Sequence, residues 1–412
     1  MKPVLCADQG KSSLRYFAAL FVVISTLGWS FVLRLGGAVL PDDLTIRVGK
    51  TVEIAASYNY CWYPTVHRFS TGEIITTMRM SPDDTSPEGE FSAYSLSKDG
   101  GETWSRRYPM GAGANIDAAY TQVPGEDGAI WGLGAGYASL ESYPPGQKTD
   151  FHVTLTKFSR GGMEIQQIRD ARVHLAEPVQ SVPTTLFATK AKDASRLSEV
   201  PEAQPFGAII GGPGGEWLNT FYYTAERDPR QRRLVLIRSL DHGRTWDEFG
   251  IIAAVPPQGK PWPWMGDEGP NEAGLARLSE SRLFCIFRTG SDNDLGEAWS
   301  GDDGKTWSPP VSSGFKGVAP HLRLLSNGLL ALTTGRPGPV TLMFSSDEGK
   351  TWVGATPIFT GKSTRYSDLI ELEPGKLLVV YDSVPYGWGP IPPPDKVSKN
   401  AICGTFVEVH RR

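Results

Sequence analysis

Apolar residues nowhere recur over a long stretch with the 3.6-residue period of an amphipathic helix. Two segments near the ends of the folded body, 44–54 and 401–410, instead alternate with the two-residue period of a strand. The chain also contains 46 glycines, 32 prolines and 12 tryptophans, which suits many short strands joined by tight turns. The pattern therefore predicts an all-β protein.

One apolar run, Tyr16–Leu33, stands apart near the N-terminus. Lys11 and Arg15 precede it and the small residues 36–38 follow, an order typical of a secretory signal. The run is also long enough to span a bilayer if it is not cleaved, and a buried core helix is the remaining alternative. We expect 1–38 to be a signal peptide or membrane anchor and 39–412 to be one domain. The protein would then be exported to the periplasm or cell exterior, or be attached to a membrane through residues 16–33.

The charge balance and the cysteine count exclude several classes of function. The chain has 41 basic and 45 acidic side chains, so no basic surface for nucleic acid is expected. Its six histidines are scattered and no Cys/His cluster has the spacing of metal ligands, so we expect no metal and no cofactor. The body carries Cys61, Cys285 and Cys403, an odd number that implies no disulfide framework.

An eight-residue pattern, Ser-x-Asp-x-Gly-x-Thr-Trp, recurs along the body. Its four copies are Ser97–Trp104, Ser239–Trp246, Ser300–Trp307 and Ser345–Trp352. A worn copy without the tryptophan lies at 156–162. An aspartate can accept bonds from backbone N–H groups two residues on, and glycine supplies a positive φ, so the pattern predicts a tight corner between two strands.

These repeats resemble the Asp boxes of the sialidase superfamily. The resemblance implies a six-bladed β-propeller in which the boxes are structural and lie on the face away from the active site. Dividing residues 39–412 among six blades gives about 62 residues each, enough for four strands. The strand-like segments at the two ends of the body would share one blade and close the ring.

The resemblance also implies a set of site residues, in the family's order along the chain. Tyr366, within Arg365–Leu369, matches the nucleophile segment, and Glu272 matches the glutamate that activates it. Asp84 matches the family's acid by its spacing from Arg79. The remaining matches are substrate-binding residues: Arg79, Arg288, Arg336 (with Arg323 as a weaker rival), Asp382 where many relatives have glutamate, and Trp62 where they have the first arginine.

The chemistry of sialic acid explains such a set. Its carboxylate on the anomeric carbon would repel a carboxylate nucleophile, whereas the neutral phenol of Tyr366 avoids that repulsion. Glu272 would accept the phenol proton, because a free tyrosine pKa near 10 is too high for unaided attack. Asp84 would protonate the leaving oxygen, and the arginines would hold the sugar carboxylate.

Trp62 departs from the family pattern, because the first arginine would otherwise help to bind the sugar carboxylate. Its indole could stack on a sugar, and Arg365 or Arg68 could supply the missing guanidinium. The expected substrate is a glycan or glycoconjugate ending in sialic acid, a related ulosonic acid or a uronic acid.

The sequence also allows two other interpretations of the function. The propeller could bind glycans without cleaving them, or it could be a glycosidase that uses only the carboxylates of Glu272 and Asp84. Trp262 and Trp264, just ahead of Glu272, could line a sugar site or simply pack within their loop.

Overall fold

The computed structural model describes thirteen segments of the chain, all within the unit Gly36–Arg412. They are 44–58, 60–80, 92–110, 119–122, 128–134, 150–159, 165–179, 181–183, 199–201, 203–225, 229–255, 261–385 and 399–411. The expected signal or anchor segment, 1–38, lies outside them. No helix in these segments is long and apolar enough to cross a membrane.

The described residues form strands in chain order, four to a blade. After β1 (Leu44–Ser57), the first blade is β2 (Trp62–Arg68), β3 (Ile74–Arg79), β4 (Ser92–Ser97) and β5 (Tyr108–Met110). The second is β6 (Ala119–Gln122), β7 (Ile130–Gly134), β8 (Asp150–Phe158) and β9 (Ile165–His174). A short pair follows, β10 (Ser181–Pro183) and β11 (Glu199–Pro201).

The later blades repeat this plan. The third is β12 (Ala203–Gly211), β13 (Trp217–Thr224), β14 (Arg232–Ser239) and β15 (Thr245–Ala254), with a 3₁₀ turn at Pro229–Gln231. The fourth is β16 (Ala273–Arg277), β17 (Leu283–Phe287), β18 (Asp294–Ser300) and β19 (Val311–Lys316). The fifth is β20 (Val318–Leu324), β21 (Leu330–Gly335), β22 (Val340–Ser345) and β23 (Val353–Phe359); the last three strands are β24 (Ser367–Glu373), β25 (Lys376–Ser383) and β26 (Asn400–Arg411).

The first strands of the blades form the inner ring. β2 contacts β6 and β24, β12 contacts β6 and β16, and β20 contacts β16 and β24. Within each blade the strands are antiparallel, while the outer strands β9 and β15 pair in parallel and join the second blade to the third. Six four-stranded blades are thus seen in the described residues, which confirms the all-β six-bladed propeller.

The two ends of the body close the ring, as predicted. β1 pairs with β26 in antiparallel register from Leu44 opposite Arg411 to Ser57 opposite Asn400. β1 is therefore the outer strand of the sixth blade, whose order is β24-β25-β26-β1. The last blade is completed by the first strand of the body, so the two ends of the body are joined in one antiparallel sheet.

The repeats form corners between the third and fourth strands of four blades. In the copy on the fourth blade, Asp302 accepts bonds from the N–H of Thr306 at 2.8 Å and from its hydroxyl at 2.6 Å. Ser300 Oγ donates to Asp302 at 2.9 Å and accepts from the Gly304 N–H at 2.8 Å. The indole N–H of Trp307 donates to the Gly304 carbonyl at 3.0 Å. The motif thus satisfies its own polar groups, and its aspartate has a structural use.

The worn copy coincides with the β8–β9 corner of the second blade, although its glycines lie outside the described residues. The sixth blade has no such corner, because its third and fourth strands come from opposite ends of the chain. This accounts for four clear repeats in a propeller of six blades.

A buried carboxylate links three blades at the inner ring. Asp368 on β24 accepts the Val66 N–H of β2 at 3.0 Å, and lies 3.3 Å from His321 Nδ1 and 3.7 Å from Arg323 on β20. Burial raises the pKa of the Asp368 carboxyl, but His321 and Arg323 together outweigh it and hold the pKa below the usual range. We call these contacts the Asp368 clasp.

The box corners should contribute to stability but not to activity. In the fifth blade, Asp347 accepts bonds from Ser345 and Thr351, which Asp347→Ala removes. We expect Tm to fall by roughly 2–4 °C, with glycan turnover or binding unchanged, in thermal unfolding and activity assays. Lys350→Ala, an exposed change in the same turn, is the control. Loss of activity in folded Asp347→Ala protein would contradict a purely structural role.

The Asp368 clasp should make stability depend on pH. Because the pKa of Asp368 is lower in the folded than in the unfolded state, its carboxylate stabilises the fold above the unfolded pKa of about 3.9. That contribution is lost as the pH falls through the folded pKa. Asp368→Asn should therefore lower Tm at neutral pH, with a gap to the unaltered protein that narrows below a pH of about 4. A gap that stays constant as the pH falls would contradict this role.

Candidate active site

The strand directions bring the predicted site residues to one edge of the ring. First strands begin and second strands end at this edge. Glu272 directly precedes β16, Arg288 directly follows β17, Arg336 directly follows β21, and Tyr366 directly precedes β24. Arg79 ends β3 and pairs with the residue that begins β2. The corners between third and fourth strands, where the boxes lie, are at the opposite edge, as the resemblance implied.

Glu272 is the centre of this group. Its Oε1 accepts the hydroxyl of Tyr366, and both of its carboxylate oxygens lie 3.0 Å from Arg288 Nη1. Oε2 also accepts the backbone N–H of Ala319 at 3.1 Å. The same Nη1 lies 3.2 Å from the Tyr366 hydroxyl oxygen, which can accept from it. Glu272, Arg288 and Tyr366, far apart in sequence, therefore form one hydrogen-bonded group.

The backbone at this edge adopts a conformation that ordinary residues avoid. Among the described non-glycine residues, Tyr63, Ala319, Arg336 and Arg365 have φ values of 50°, 42°, 58° and 74°. The other such residues, at 242, 303 and 348, all lie in Asp boxes. Left-handed backbone at a side chain other than glycine costs free energy and concentrates at functional sites. The strain at Ala319 accompanies the N–H bond to Glu272.

The ionisation of the pair follows from its surroundings. Burial raises the pKa of Glu272, but Arg288, the Tyr366 hydroxyl and Arg336 outweigh burial and bring this pKa below its usual value. Burial and the neighbouring Glu272 charge hold the pKa of Tyr366 well above its usual value, against the opposing effect of Arg288 and Arg336. The resting state is therefore a neutral phenol that donates to an ionised carboxylate, and a carboxylate in this position can accept the phenol proton.

Arg288 and Arg336 share a second set of contacts. Arg288 Nη2 donates to Glu268 Oε1 at 2.8 Å and to Ser291 Oγ at 3.2 Å. Arg336 Nη1 donates to the same Ser291 oxygen at 3.1 Å, and its Nη2 to the Thr364 carbonyl at 2.9 Å. Ser291 thus bridges the two guanidinium groups, which fixes their spacing beside Tyr366.

An aromatic wall lies on the other side of Tyr366. The Tyr63 ring is 4.6 Å from the Tyr366 ring, centroid to centroid, and Trp62 stacks on Tyr63 at 5.5 Å. Trp62 is only 2% exposed and contacts Tyr60 as well. Its indole therefore offers almost no surface to a sugar in this arrangement, and it supports Tyr63 against Tyr366.

Asp382 lies beneath the loop that carries Tyr366, fully buried on β25. Its carboxylate accepts the Ser363 hydroxyl at 2.8 Å and the Thr364 N–H at 2.8 Å. It also accepts the Thr364 hydroxyl and the Tyr63 N–H. With no surface for a ligand, Asp382 anchors the loops that carry Tyr366 and Tyr63.

Neither alternative guanidinium takes the position of the missing arginine. Arg68 ends β2, at the opposite edge from the site, and its Nη1 donates to the Leu372 carbonyl. Arg365 neighbours Tyr366 but donates to the Phe359 carbonyl at 3.2 Å. The predicted acid, Asp84, lies outside the described residues.

The Trp262 and Trp264 rings stack on each other, with centroids 5.6 Å apart and planes 11° apart. Both are partly buried against the core shared by the third and fourth blades. The structure therefore shows the pair packing within its loop, and contact with a sugar stays a prediction.

Known proteins share sequence and structural features with this chain. Residues 209–379 match the family model of the BNR repeat-like domain. This match spans less than half of the 412-residue chain. It covers the third to fifth blades and reaches into the sixth, and it includes Glu272, Arg288, Arg336 and Tyr366. No curated protein matches the chain.

Solved structures share the propeller over most of the chain. A Dyadobacter fermentans protein of unknown function is 20% identical with a TM-score of 0.65, over 89% of this chain and 99% of its own. A Hadza microbial sialidase is 18% identical with a TM-score of 0.56, over 85% of this chain and 65% of its own. An α-L-arabinanase of Penicillium chrysogenum, complexed with arabinobiose, is 15% identical with a TM-score of 0.57, over 87% and 98%.

At such identities the comparison shows the fold alone. The resemblance to the BNR-repeat sialidase superfamily is confirmed at that level, and the structural neighbours include glycoside hydrolases of two kinds. The coarse description that follows is a β-propeller fold that this chain shares with solved glycoside hydrolases.

Three residues of the candidate site were missed in the sequence. Glu268 lies four residues before Glu272 and Ser291 three after Arg288, both close enough to have been suspected. Tyr63 stands beside Trp62, but only its left-handed backbone brings its ring to Tyr366.

The Glu272–Arg288 pair should carry a large part of the local stability. Glu272→Ala leaves Arg288 buried without its main partner, so we expect a loss of about 3–5 kcal/mol in the free energy of unfolding. Glu272→Gln, which keeps an acceptor, should lose less. Urea unfolding followed by fluorescence measures both.

The double variant Glu272→Ala/Arg288→Met is the control, because it removes the stranded charge as well. It should recover part of the stability lost in Glu272→Ala. Equal losses in the single and double variants would contradict the assignment of the cost to an unpaired Arg288.

Proposed function

We propose that the protein is a retaining exo-glycosidase of the sialidase type, with Tyr366 as nucleophile, acting on a terminal acidic sugar. The observation that carries the proposal is the contact of the half-buried Tyr366 hydroxyl with ionised Glu272 and with Arg288.

The first step forms a glycosyl-tyrosine. Tyr366 Oη attacks the anomeric carbon while its proton passes to Glu272, and the bond from that carbon to the leaving oxygen breaks. The leaving oxygen takes a proton from the general acid, for which Asp84 is our candidate by sequence. Because the pKa of Tyr366 is raised, proton transfer accompanies attack, and no free phenolate accumulates.

The second step returns the enzyme to its first state. Water attacks the anomeric carbon and gives a proton to the base form of Asp84, while the bond to Tyr366 Oη breaks and Glu272 returns the phenol proton. Two inversions give net retention. During both steps Arg288, held by Glu272, lies next to the oxygen whose charge changes.

An acidic sugar fits the two guanidinium groups beside Tyr366. Arg288 and Arg336 lie on one side of it, bridged by Ser291, and guanidinium groups bind carboxylates in fork geometry. Sialidases among the structural neighbours support the same class. We also propose that the protein is exported, from the sequence of residues 1–38.

A non-catalytic glycan-binding propeller is the second candidate. It is favoured by Trp62, since this residue stands where the first arginine is expected and is packed under Tyr63. Such a protein would keep the arginines for binding but would have no use for the Tyr366–Glu272 contact.

Turnover by the purified protein and by Tyr366→Phe decides between the two. We expect hydrolysis of a fluorogenic sialoside or uronide, and a loss of about 10²-fold or more in kcat in the variant, because the nucleophile is gone. Tyr381→Phe is the matched control, since this tyrosine's hydroxyl lies 3.1 Å from that of Thr405 and not against Glu272. Binding of sialosides without turnover by folded protein would establish the second candidate instead.

A further inference from the structure

Glu268 accepts the hydrogen bond from Arg288 Nη2, a donor that a sugar carboxylate would need. Its Oε1 accepts from Arg288 Nη2 at 2.8 Å and lies 3.3 Å from Ser291 Oγ. A substrate carboxylate bound in the fork of Arg288 would meet the same donors. The protein therefore places one of its own carboxylates where the ligand's carboxylate is expected.

Both terminal nitrogens of the Arg288 guanidinium already have hydrogen-bond partners within the protein. Nη1 is committed to Glu272 and to the Tyr366 hydroxyl, and Nη2 to Glu268 and Ser291. The remaining nitrogen, Nε, is buried and has no protein partner among the described residues. An incoming carboxylate can reach Arg288 only by exchange with a group already bound to it.

The two carboxylates on Arg288 differ in how firmly they are held. The Glu272 side chain is 11% exposed, and both its oxygens have partners: Tyr366, Arg288 and the Ala319 N–H. The Glu268 side chain is 32% exposed and contacts Arg288 through one oxygen. Glu268 is therefore the partner that a ligand can displace.

The Glu268 backbone is fixed although its side chain is accessible. Its N–H donates to the Thr289 carbonyl at 3.2 Å, and its carbonyl accepts from Arg232 Nη1. The side chain therefore starts from a fixed point beside Arg288 and can rotate away without movement of the loop. This arrangement suits a group that exchanges with a ligand.

Glu268 also sets the charge of the site. With Glu268 and Glu272 opposite Arg288 and Arg336, the charges of these four side chains cancel. Without Glu268 the same group carries one net positive charge, which attracts a carboxylate. The resident carboxylate thus both occupies the donor and repels an anionic ligand.

We propose that Glu268 determines which sugars the site accepts, by competing with a substrate carboxylate for Arg288. The inference rests on the proposed function in so far as the sugar binds beside Arg288. A sugar must either displace Glu268 from Arg288 or bring no carboxylate to this position. Glu268 therefore selects against acidic sugars whose other contacts with the site are too weak to offset the cost of displacing it.

Binding of matched acidic and uncharged sugars tests the proposal. Calorimetric titrations would compare N-acetylneuraminic acid with its methyl ester, and glucuronic acid with its methyl ester. The proteins are the unaltered chain, Glu268→Gln and Glu268→Ala. For at least one pair, the Glu268 variants should bind the acid about tenfold more tightly, with the affinity for the ester nearly unchanged.

Glu280→Gln is the control for net charge, because Glu280 is exposed on the β16–β17 turn at the opposite edge. It should leave every affinity unchanged. Equal or weaker binding of both acids by the Glu268 variants, an equal gain for acid and ester, or no binding of any sugar would overturn the proposal. Thermal unfolding of each variant shows that it is folded.

This outcome is separable from the proposed function. Tyr366→Phe, which removes the nucleophile, should show the same gain in acid binding when combined with Glu268→Gln. A protein that never turns over a sugar but shows the gain would refute the reaction and retain the role of Glu268. Turnover without a gain in acid binding would retain the reaction and refute the role of Glu268.

Discussion

A buried guanidinium costs free energy unless carboxylates and other acceptors surround it, and Arg288 imposes that constraint on the whole site. Glu272 satisfies most of it, and in doing so becomes an ionised acceptor for the Tyr366 hydroxyl. The ion pair and the Tyr366 hydroxyl therefore form one hydrogen-bonded group, in which the loss of one member removes a partner from the other two. Glu268 and Ser291 complete the shell of Arg288 and extend it to Arg336.

The propeller meets this constraint by separating stability from chemistry. The Asp-box corners lie at one edge, where the aspartate of each box bonds to the serine and the threonine of the same box, away from the site. At the other edge the backbone takes left-handed conformations at Tyr63, Ala319, Arg336 and Arg365. The pairing of β1 with β26 completes the sixth blade, and the Asp368 clasp links three blades at the inner ring. A closed ring can hold Glu272 and Tyr366, on different blades, within hydrogen-bonding distance.

The blades, the closure of the ring and most of the site could be predicted, because each depends on a pattern of neighbouring residues in the sequence. The corner motif requires Asp, Gly and Trp at fixed spacing, so it gave the blades, and the alternating ends gave the closure. Glu272, Arg288 and Tyr366 were found because each stands at the start or end of a strand in a known order.

What could not be predicted depends on contacts between distant residues. Asp382 was expected to bind substrate, yet it is buried under Ser363 and Thr364 by the turn that precedes Tyr366. Trp62 was expected to offer a stacking face, but the left-handed backbone at Tyr63 places that ring between Trp62 and Tyr366. The spacing of residues along the chain does not show that the side chains of Asp382 and Trp62 are buried.

Trapping the glycosyl-enzyme tests the central claim, that Tyr366 is the nucleophile, most directly. The protein would be incubated with fluorinated sialic acid and uronic acid derivatives that carry fluoride as leaving group, then digested and mapped by mass spectrometry. The account predicts one sugar adduct, on the peptide containing Tyr366, and none in Tyr366→Phe. An adduct on Glu272 or Glu268, or no adduct on folded protein with either sugar, would contradict it.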